Sequence, residues 1–306
     1  MFDVGIMIEG QDGLNWTRWK RLVEVVERCG FSSLYRSDHF TNPRGPDRDA
    51  LELWASLTYL AGATSRIEFG PLVTPVTFRL PAITAKAAAA AHDLSGGRLI
   101  LGIGAGWQDR EHQLFGIPFP PAGVRLAMLE EYVQVVGQLM RGTKPVEFRG
   151  SHYQIDGAEI LPHPHGGGPP ILVGGNGEKR TLPIVARYAD AWNAVFVTPA
   201  RFRELSSRLD ELLDRAERPR DAVRRSTMIG TIFGRSEDEL RTKLAARGWS
   251  VEDARGHGLV AGTPAMLVEQ LRGYREAGVE RVMLQWLDQD DIEGLEIIGH
   301  EVLVAL

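Results

Sequence analysis

The sequence predicts a (β/α)8 barrel with insertions, on three observations. Short apolar runs alternate with amphipathic stretches along nearly the whole chain, and eight such runs are legible. This alternation calls for parallel strands joined by right-handed helical crossovers. The runs end in glycine, proline or chemically versatile residues, as expected where a barrel carries its working face, and eight units in 306 residues favour closure over an open doubly wound sheet. We read one domain over residues 1–306, with insertions at about 143–169 and 245–261.

The elements follow in order. Phe2 to Ile8 alternates into a first strand, and Asn15 or Thr17 caps a helix to about Arg28 whose stripe is Trp19, Leu22, Val23 and Val26. Phe31 to Tyr35 is the second strand, followed by Ser37-Asp38-His39-Phe40, a polar loop over 41–48 and a helix from about Ala50 to Ala63. Ile67, Phe69, Leu72 and Val73 form a third, doubly buried strand. Pro71 and Pro75 interrupt it, and because proline removes a ladder donor they imply a bulge or an early end to pairing. Pro81 opens an alanine-rich helix to residue 94, where its fixed φ is tolerated best.

Strand four, Arg98 to Ile103, ends in Gly104-Ala105-Gly106-Trp107, and a helix runs from about Val124 to Met140. Residues 143–169 break the alternation with a predicted hairpin, Val146–Phe148 against His152–Ile155. Strand five is Pro170 to Val173, with a turn at 174–177 and a helix from Glu178 to Tyr188. Strand six is Asp190 to Val195, strand seven Ser226 to Phe233, and strand eight Arg281 to Trp286, with helices at 199–216, 236–246 and 264–277. Residues 250–261 read as loop.

Composition narrows the function classes. Hydrophobic residues make up 43% and charged residues 25%, which suits a folded globular chain. A formal net charge of −5 speaks against a nucleic-acid partner, which needs clustered Lys and Arg. Cys29 is the only cysteine, so neither an internal disulfide nor an all-cysteine metal site is expected. No signal peptide or run of 18 apolar residues is visible, so we expect a cytoplasmic protein without membrane attachment.

Four predicted strand ends carry suggestive chemistry. His39 can exchange a proton near neutral pH and Asp38 can orient a ring or backbone beside it; the alternative is a capping aspartate next to an ordinary loop histidine. Leu72-Val73-Thr74 can form a backbone bulge beneath a flat ring, or a simple loop. Gly102, Gly104 and Gly106 miss the dinucleotide glycine spacing, but they let a ligand approach backbone, next to Trp107. Gly174, Gly175, Asn176 and Gly177 precede a helix bearing Lys179, Arg180 and the Thr181 hydroxyl, a natural phosphate site, although a tight turn needs the glycines alone. Trp107, Trp192 and Trp286 are the tryptophans placed to line a pocket. His163 and His165 lack acidic or cysteine partners at ligand spacing, so no metal site is expected.

Together, SDHF at 37–40, the segment 70–107, LFGIPFP at 114–120, ILVGGNGEKRTL at 171–182 and ADAWN at 189–193 resemble the luciferase-like flavin and deazaflavin oxidoreductase superfamily, over nearly the whole chain. The resemblance implies a barrel that binds coenzyme F420 or, alternatively, FMN. It implies a non-proline cis peptide at Leu72–Val73 pressed against one face of the ring. The cofactor phosphate would lie at 174–177, with His39 as acid/base and Asp38 as cofactor-positioning group. It implies a small-molecule substrate and a homodimer. Where the sugar-phosphate dehydrogenase branch has a glutamate after the strand-four glycines, this chain has Trp107, so its acid would be His39 or Glu9 and its substrate pocket more apolar.

The expected function is therefore F420-dependent hydride transfer to or from a small organic substrate. One alternative is an FMN-dependent two-component monooxygenase using O2, which would need a flavin reductase as partner. Another is a non-catalytic flavin-binding relative, and a metal-dependent barrel hydrolase lacks its ligand set.

Overall fold

Local signals set most element boundaries in the computed structural model, which describes residues 2–306. After strand β1 (Asp3–Ile8), the Asn15 side chain accepts from Arg18 N and caps α1 (Trp16–Arg28). Strand β2 (Ser33–Arg36) leads to α2 (Leu53–Ala63), whose N-cap is Glu52. The third predicted strand is divided: β3 (Glu68–Pro71) and β4 (Thr74–Pro75) flank the cis peptide between Leu72 and Val73. Helix α3 (Pro81–Leu94) starts on its proline, and β5 (Leu101–Gly104), α4 (Asp109–Leu114) and α5 (Ala122–Arg141) follow.

The predicted hairpin forms as an antiparallel pair, β6 (Val146–Arg149) with β7 (Gln154–Ala158), its return strand ending later than expected. The alternation resumes with β8 (Ile171–Gly174), α6 (Thr181–Tyr188), β9 (Ala191–Val195), α7 (Pro199–Arg215), β10 (Arg224–Phe233) and α8 (Glu237–Ala245). The chain then runs through α9 (Val251–Gly256), β11 (Leu259–Gly262), α10 (Pro264–Glu276), β12 (Arg281–Gln285) and α11 (Ile292–Ile297).

The loop expected at 250–261 is thus replaced by a helix and a strand. A reciprocal Ser250–Asp253 capping box starts α9, and Leu259–Gly262 pairs in parallel with Gly230–Phe233 of β10. Strand β10 is ten residues long and serves two neighbours on one side: its first half pairs with β9 and its last residues with β11, while β12 runs along the other side.

All pairings of the main sheet are parallel, in the order β3-β2-β1-β12-β10-β9-β8-β5-β4. The two ends of that order are consecutive in the chain, and Ile100 N donates to Phe69 O at 2.8 Å, so the sheet closes on itself. Taking β3 and β4 as one interrupted strand and β11 as an addition leaves eight staves. This is the (β/α)8 barrel.

Side chains alternate across the barrel wall as the period of a strand requires. Met7, Tyr35, Leu172, Met228 and Met283 pack inside, while Ile6, Ile8, Leu34, Val173 and Leu284 face the helices and join the large outer core. At the N-terminal mouth Arg281 pairs with Glu68 at 2.5 Å and Asp3 at 3.3 Å, and Arg224 reaches the same two carboxylates. Arg281 also donates to the Tyr35 hydroxyl at 3.1 Å. Polar closure below leaves the opposite end as the open one. Among the described residues no helix is long and apolar enough to cross a membrane.

Candidate active site

A cavity of about 480 Å³ opens at the C-terminal ends of the strands, within the range of small-molecule and cofactor sites. Its walls come from Glu9 after β1, His39 after β2, Leu72 and Val73 between β3 and β4, the segment 104–107 after β5, Gly174 and Gly175 after β8, and Phe196 after β9. A larger cleft of about 780 Å³ lies outside the barrel between α5 and Asp190. Asp190 precedes β9, so that cleft sits at the N-terminal rim, away from the strand ends that carry chemistry.

His39 lines the cavity with its ring held from behind. Its Nδ1 lies 2.8 Å from Glu111 Oε1, while Glu111 Oε2 accepts from Phe40 N at 2.9 Å. A carboxylate accepts, so Nδ1 carries the proton and Nε2 is left for the cavity. Burial disfavours the charged ring. The hydrogen bond to Glu111 and the charges of Glu111, Glu9 and Asp38 outweigh it and raise the His39 pKa above its ordinary value.

Glu111 sits on α4, which docks onto the loop after β2. Gln108 Nε2 donates to Thr41 O at 2.8 Å, and His112 Nδ1 donates to Gln108 O at 2.7 Å. Phe40 stacks on Phe78 at 4.4 Å with planes 8° apart, and Phe115 packs against Phe40. The sequence reading missed Glu111, and its only trace was the charged run Asp109 to His112 beside the strand-four glycines.

Asp38 is placed differently from its expected role. Its carboxylate turns away from the cavity, pairs with Arg79 and accepts from Thr74 Oγ1 at 2.7 Å. Asp38 and Thr74 are buried, and neither lines the cavity; Arg79 also pairs with Glu52 at 3.0 Å. A buried carboxylate needs a counter-charge, and Arg79 supplies it where a ligand would otherwise have to. Asp38 therefore braces the β4 end of the bulge.

The bulge forms one cavity wall. Val73 fits against Gly104 and Gly174, where an added Cβ would overlap Val73 Cγ2 or lie 3.0 Å from its Cγ1. Gly106 and Gly175 adopt φ of 78° and 127°, which other residues rarely accept. The wall is thus Val73 seated on bare backbone, with Leu72 beside it.

The 174–180 segment is brought only partly to the site. Gly174 and Gly175 line the cavity; Asn176, Gly177, Lys179 and Arg180 do not. The Asn176 side chain is engaged with Val195, donating to its carbonyl at 2.8 Å and accepting from its N–H at 3.0 Å. Helix α6 begins at Thr181 rather than Glu178 because Arg180, at φ −132° and ψ −50°, is not helical. Lys179 and Arg180 are exposed on the turn just outside.

Of the three tryptophans placed near strand ends, only Trp107 lines the cavity, edge-on to His39 with centroids 5.4 Å apart. Trp192 is buried against Phe202 and donates to Gly175 O at 2.9 Å, and Trp286 packs against Phe233. Glu9 does face the cavity, its two oxygens accepting from Gln285 Nε2 at 2.6 Å and Gln11 Nε2 at 2.9 Å. His163 and His165 remain on a surface loop, and no metal-binding cluster occurs among the described residues.

The family model described as luciferase-like monooxygenase matches residues 3–254. An F420-dependent glucose-6-phosphate dehydrogenase from Intrasporangium calvum is 28% identical over 314 residues, covering 92% of each chain. A 5,10-methylenetetrahydromethanopterin reductase from Archaeoglobus fulgidus is 30% identical over 260 residues, covering 85% of this chain and 71% of its own. Among solved structures, an F420-dependent secondary alcohol dehydrogenase in complex with an F420–acetone adduct superposes with a TM-score of 0.87 at 20% identity, covering 100% of this chain and 99% of that one.

Proposed function

The chain belongs to the luciferase-like monooxygenase family, and from that premise we propose that it is an F420-dependent oxidoreductase acting on a small organic molecule. The observation that carries this reading is the His39–Glu111 pair at an apolar cavity with a backbone wall.

The residues present fit a flat ring cofactor. The Leu72–Val73 wall and the bare backbone at 104–106 and 174–175 admit a planar group with little steric obstruction. Gly174 and Gly175 would lie along its edge, and the exposed Lys179 and Arg180 on the adjoining turn would attract its phosphate. When bound, the deazaflavin supplies hydride transfer, having carbon where FMN has N5.

The protein's own residues supply the rest. His39 Nε2 gives a proton to, or takes one from, the substrate oxygen or nitrogen. Glu111 keeps the opposite nitrogen protonated and the ring in place, and Phe40 N keeps Glu111 in place. Trp107 walls one side of the reacting region with indole and cannot act as a proton donor there.

The test is a pair of fluorescence titrations of the purified protein with F420 and with FMN, followed by hydride transfer across alcohols, aldehydes, imines and electron-poor alkenes. F420 binding with reduction of the bound coenzyme is expected. Preference for FMN, with oxygen consumption in the presence of a flavin reductase, would overturn the assignment in favour of a two-component monooxygenase.

A further inference from the structure

Phe196 holds a backbone conformation that a bulky side chain rarely takes. Its φ is 50°, and among the described residues only one other non-glycine, Glu217, has a positive φ. Glu217 follows the end of α7, where a left-handed residue commonly stops a helix, whereas Phe196 follows a strand. The surroundings enforce the seat. Phe196 N donates to Met228 O at 3.0 Å, and the Asn176 side chain clasps both backbone groups of Val195 just before it. Gly258 leaves room for the Phe196 carbonyl, which an added Cβ there would approach to 2.6 Å. Strain of this kind persists where the structure over-determines it, and here it presents an aromatic side chain that lines the cavity and is 43% exposed.

Closure of the sheet fixes what stands opposite. In the ring of eight staves β2 and β9 are four apart in either direction, so His39 and Phe196 lie on opposite sides of the mouth. The walls proposed for the flat cofactor, at 72–73, 104–106 and 174–175, belong to the three staves between them on one side. A substrate whose reacting oxygen or nitrogen meets His39 Nε2 therefore turns its far end toward Phe196. Among the described residues no lysine or arginine lines the cavity, so nothing there receives an anionic group on that end.

We propose that Phe196 is a specificity-determining residue and that it packs against a flat apolar group, aryl or conjugated, on the substrate end away from the reacting atom. Two aromatic rings gain from offset or edge-on contact beyond the area they bury, and a saturated ring of similar size does not offer that gain. The inference rests on the proposed function in taking His39 as the proton-transfer group and this cavity as the substrate site.

The test is calorimetric titration of the full chain, free and loaded with reduced F420, on which an alcohol cannot react. The probes are benzyl alcohol, cyclohexylmethanol and 4-(hydroxymethyl)benzoate. In the wild type benzyl alcohol is expected to bind about two- to tenfold more tightly than cyclohexylmethanol, the range a ring–ring contact gives, with the benzoate, charged at its far end, weakest. Phe196→Ala and Phe196→Gly lose the aromatic preference, Phe196→Tyr keeps it, and F420 affinity is unchanged throughout. Phe196→Gly also melts above Phe196→Ala, because glycine accepts the left-handed seat and alanine does not. The reverse order of melting removes the seat on which the inference stands. Cyclohexylmethanol or the benzoate binding the wild type as tightly as benzyl alcohol overturns the proposal without recourse to any variant. So does a preference that survives Phe196→Ala, and so does a loss of F420 affinity in that variant, which would make Phe196 a cofactor contact. F420 binding and reduction without aromatic preference sinks this inference and leaves the hydride-transfer reading standing; a Phe196-dependent preference without F420 binding does the reverse.

Discussion

Nδ1 of His39 and Oε1 of Glu111 lie 2.8 Å apart, joining a strand end to a short helix 72 residues further along the chain. The pair fixes which ring nitrogen faces the cavity, and it follows that His39→Ala removes the proposed proton-transfer group while leaving the rest of the wall in place. Turnover should fall by roughly 10²–10⁴-fold with F420 affinity little changed. Steady-state kinetics together with a binding titration decide it: unaltered turnover would take His39 out of the mechanism.

Glu111→Gln tests the same contact through protonation. The folded His39 pKa lies above its ordinary value, so the stability it contributes is complete below about pH 6.5 and is lost as pH rises through the raised value. Without the Glu111 charge, burial takes over and that contribution goes. The stability gap between wild type and Glu111→Gln should therefore be widest in acid and narrow toward alkali. Urea unfolding at about pH 5.5 and about pH 9 measures it, and a gap independent of pH would deny the linkage.

Arg79→Met strands the buried Asp38 carboxylate with Thr74 as its remaining side-chain partner. The expected loss is roughly 3–5 kcal/mol, the cost of leaving one partner of a buried pair unmatched. Asp38→Asn should lose less. If Asp38 is the brace described above, folded Asp38→Asn protein binds F420 as the wild type does, and a large loss of affinity with unchanged stability would restore a direct cofactor role.

Two glycines give opposite expectations. A Cβ at Gly102 would collide with the Pro71 carbonyl oxygen, which is backbone and cannot rotate away, so Gly102→Ala should destabilise by about 1–3 kcal/mol. Gly62, at an exposed position of α2, has nothing within 4 Å of such a Cβ. Gly62→Ala should stabilise by about 0.5–1 kcal/mol. Thermal melts of both variants provide the comparison.

The barrel was legible because each βα unit announces itself locally, through caps such as Asn15, prolines at the starts of α3 and α7, and glycines after strands. The cavity's position followed from the same rule, which put His39, Leu72, Val73, Gly106, Trp107, Gly174 and Gly175 around one space. What stayed hidden depends on which partner a polar side chain takes. Asp38 chose Arg79, Asn176 chose Val195, and Glu111 found His39 only through the docking of α4, none of which a linear pattern encodes. Strand β11 escaped for another reason: four residues are too few to show a period, and only the overlong β10 gives it an edge to join.

Because Glu111 rides on α4 rather than on a barrel strand, the segment 107–121 bears on chemistry as well as on shape. A chimera that imports this segment from a relative replaces His39's proton partner and the Trp107 wall in one stroke. For protein engineers, recognition and reactivity are inherited here as a single cassette. A graft meant only to change what the pocket admits must carry a carboxylate at the Glu111 position, or it will also reset the acid–base behaviour of a histidine it does not contain.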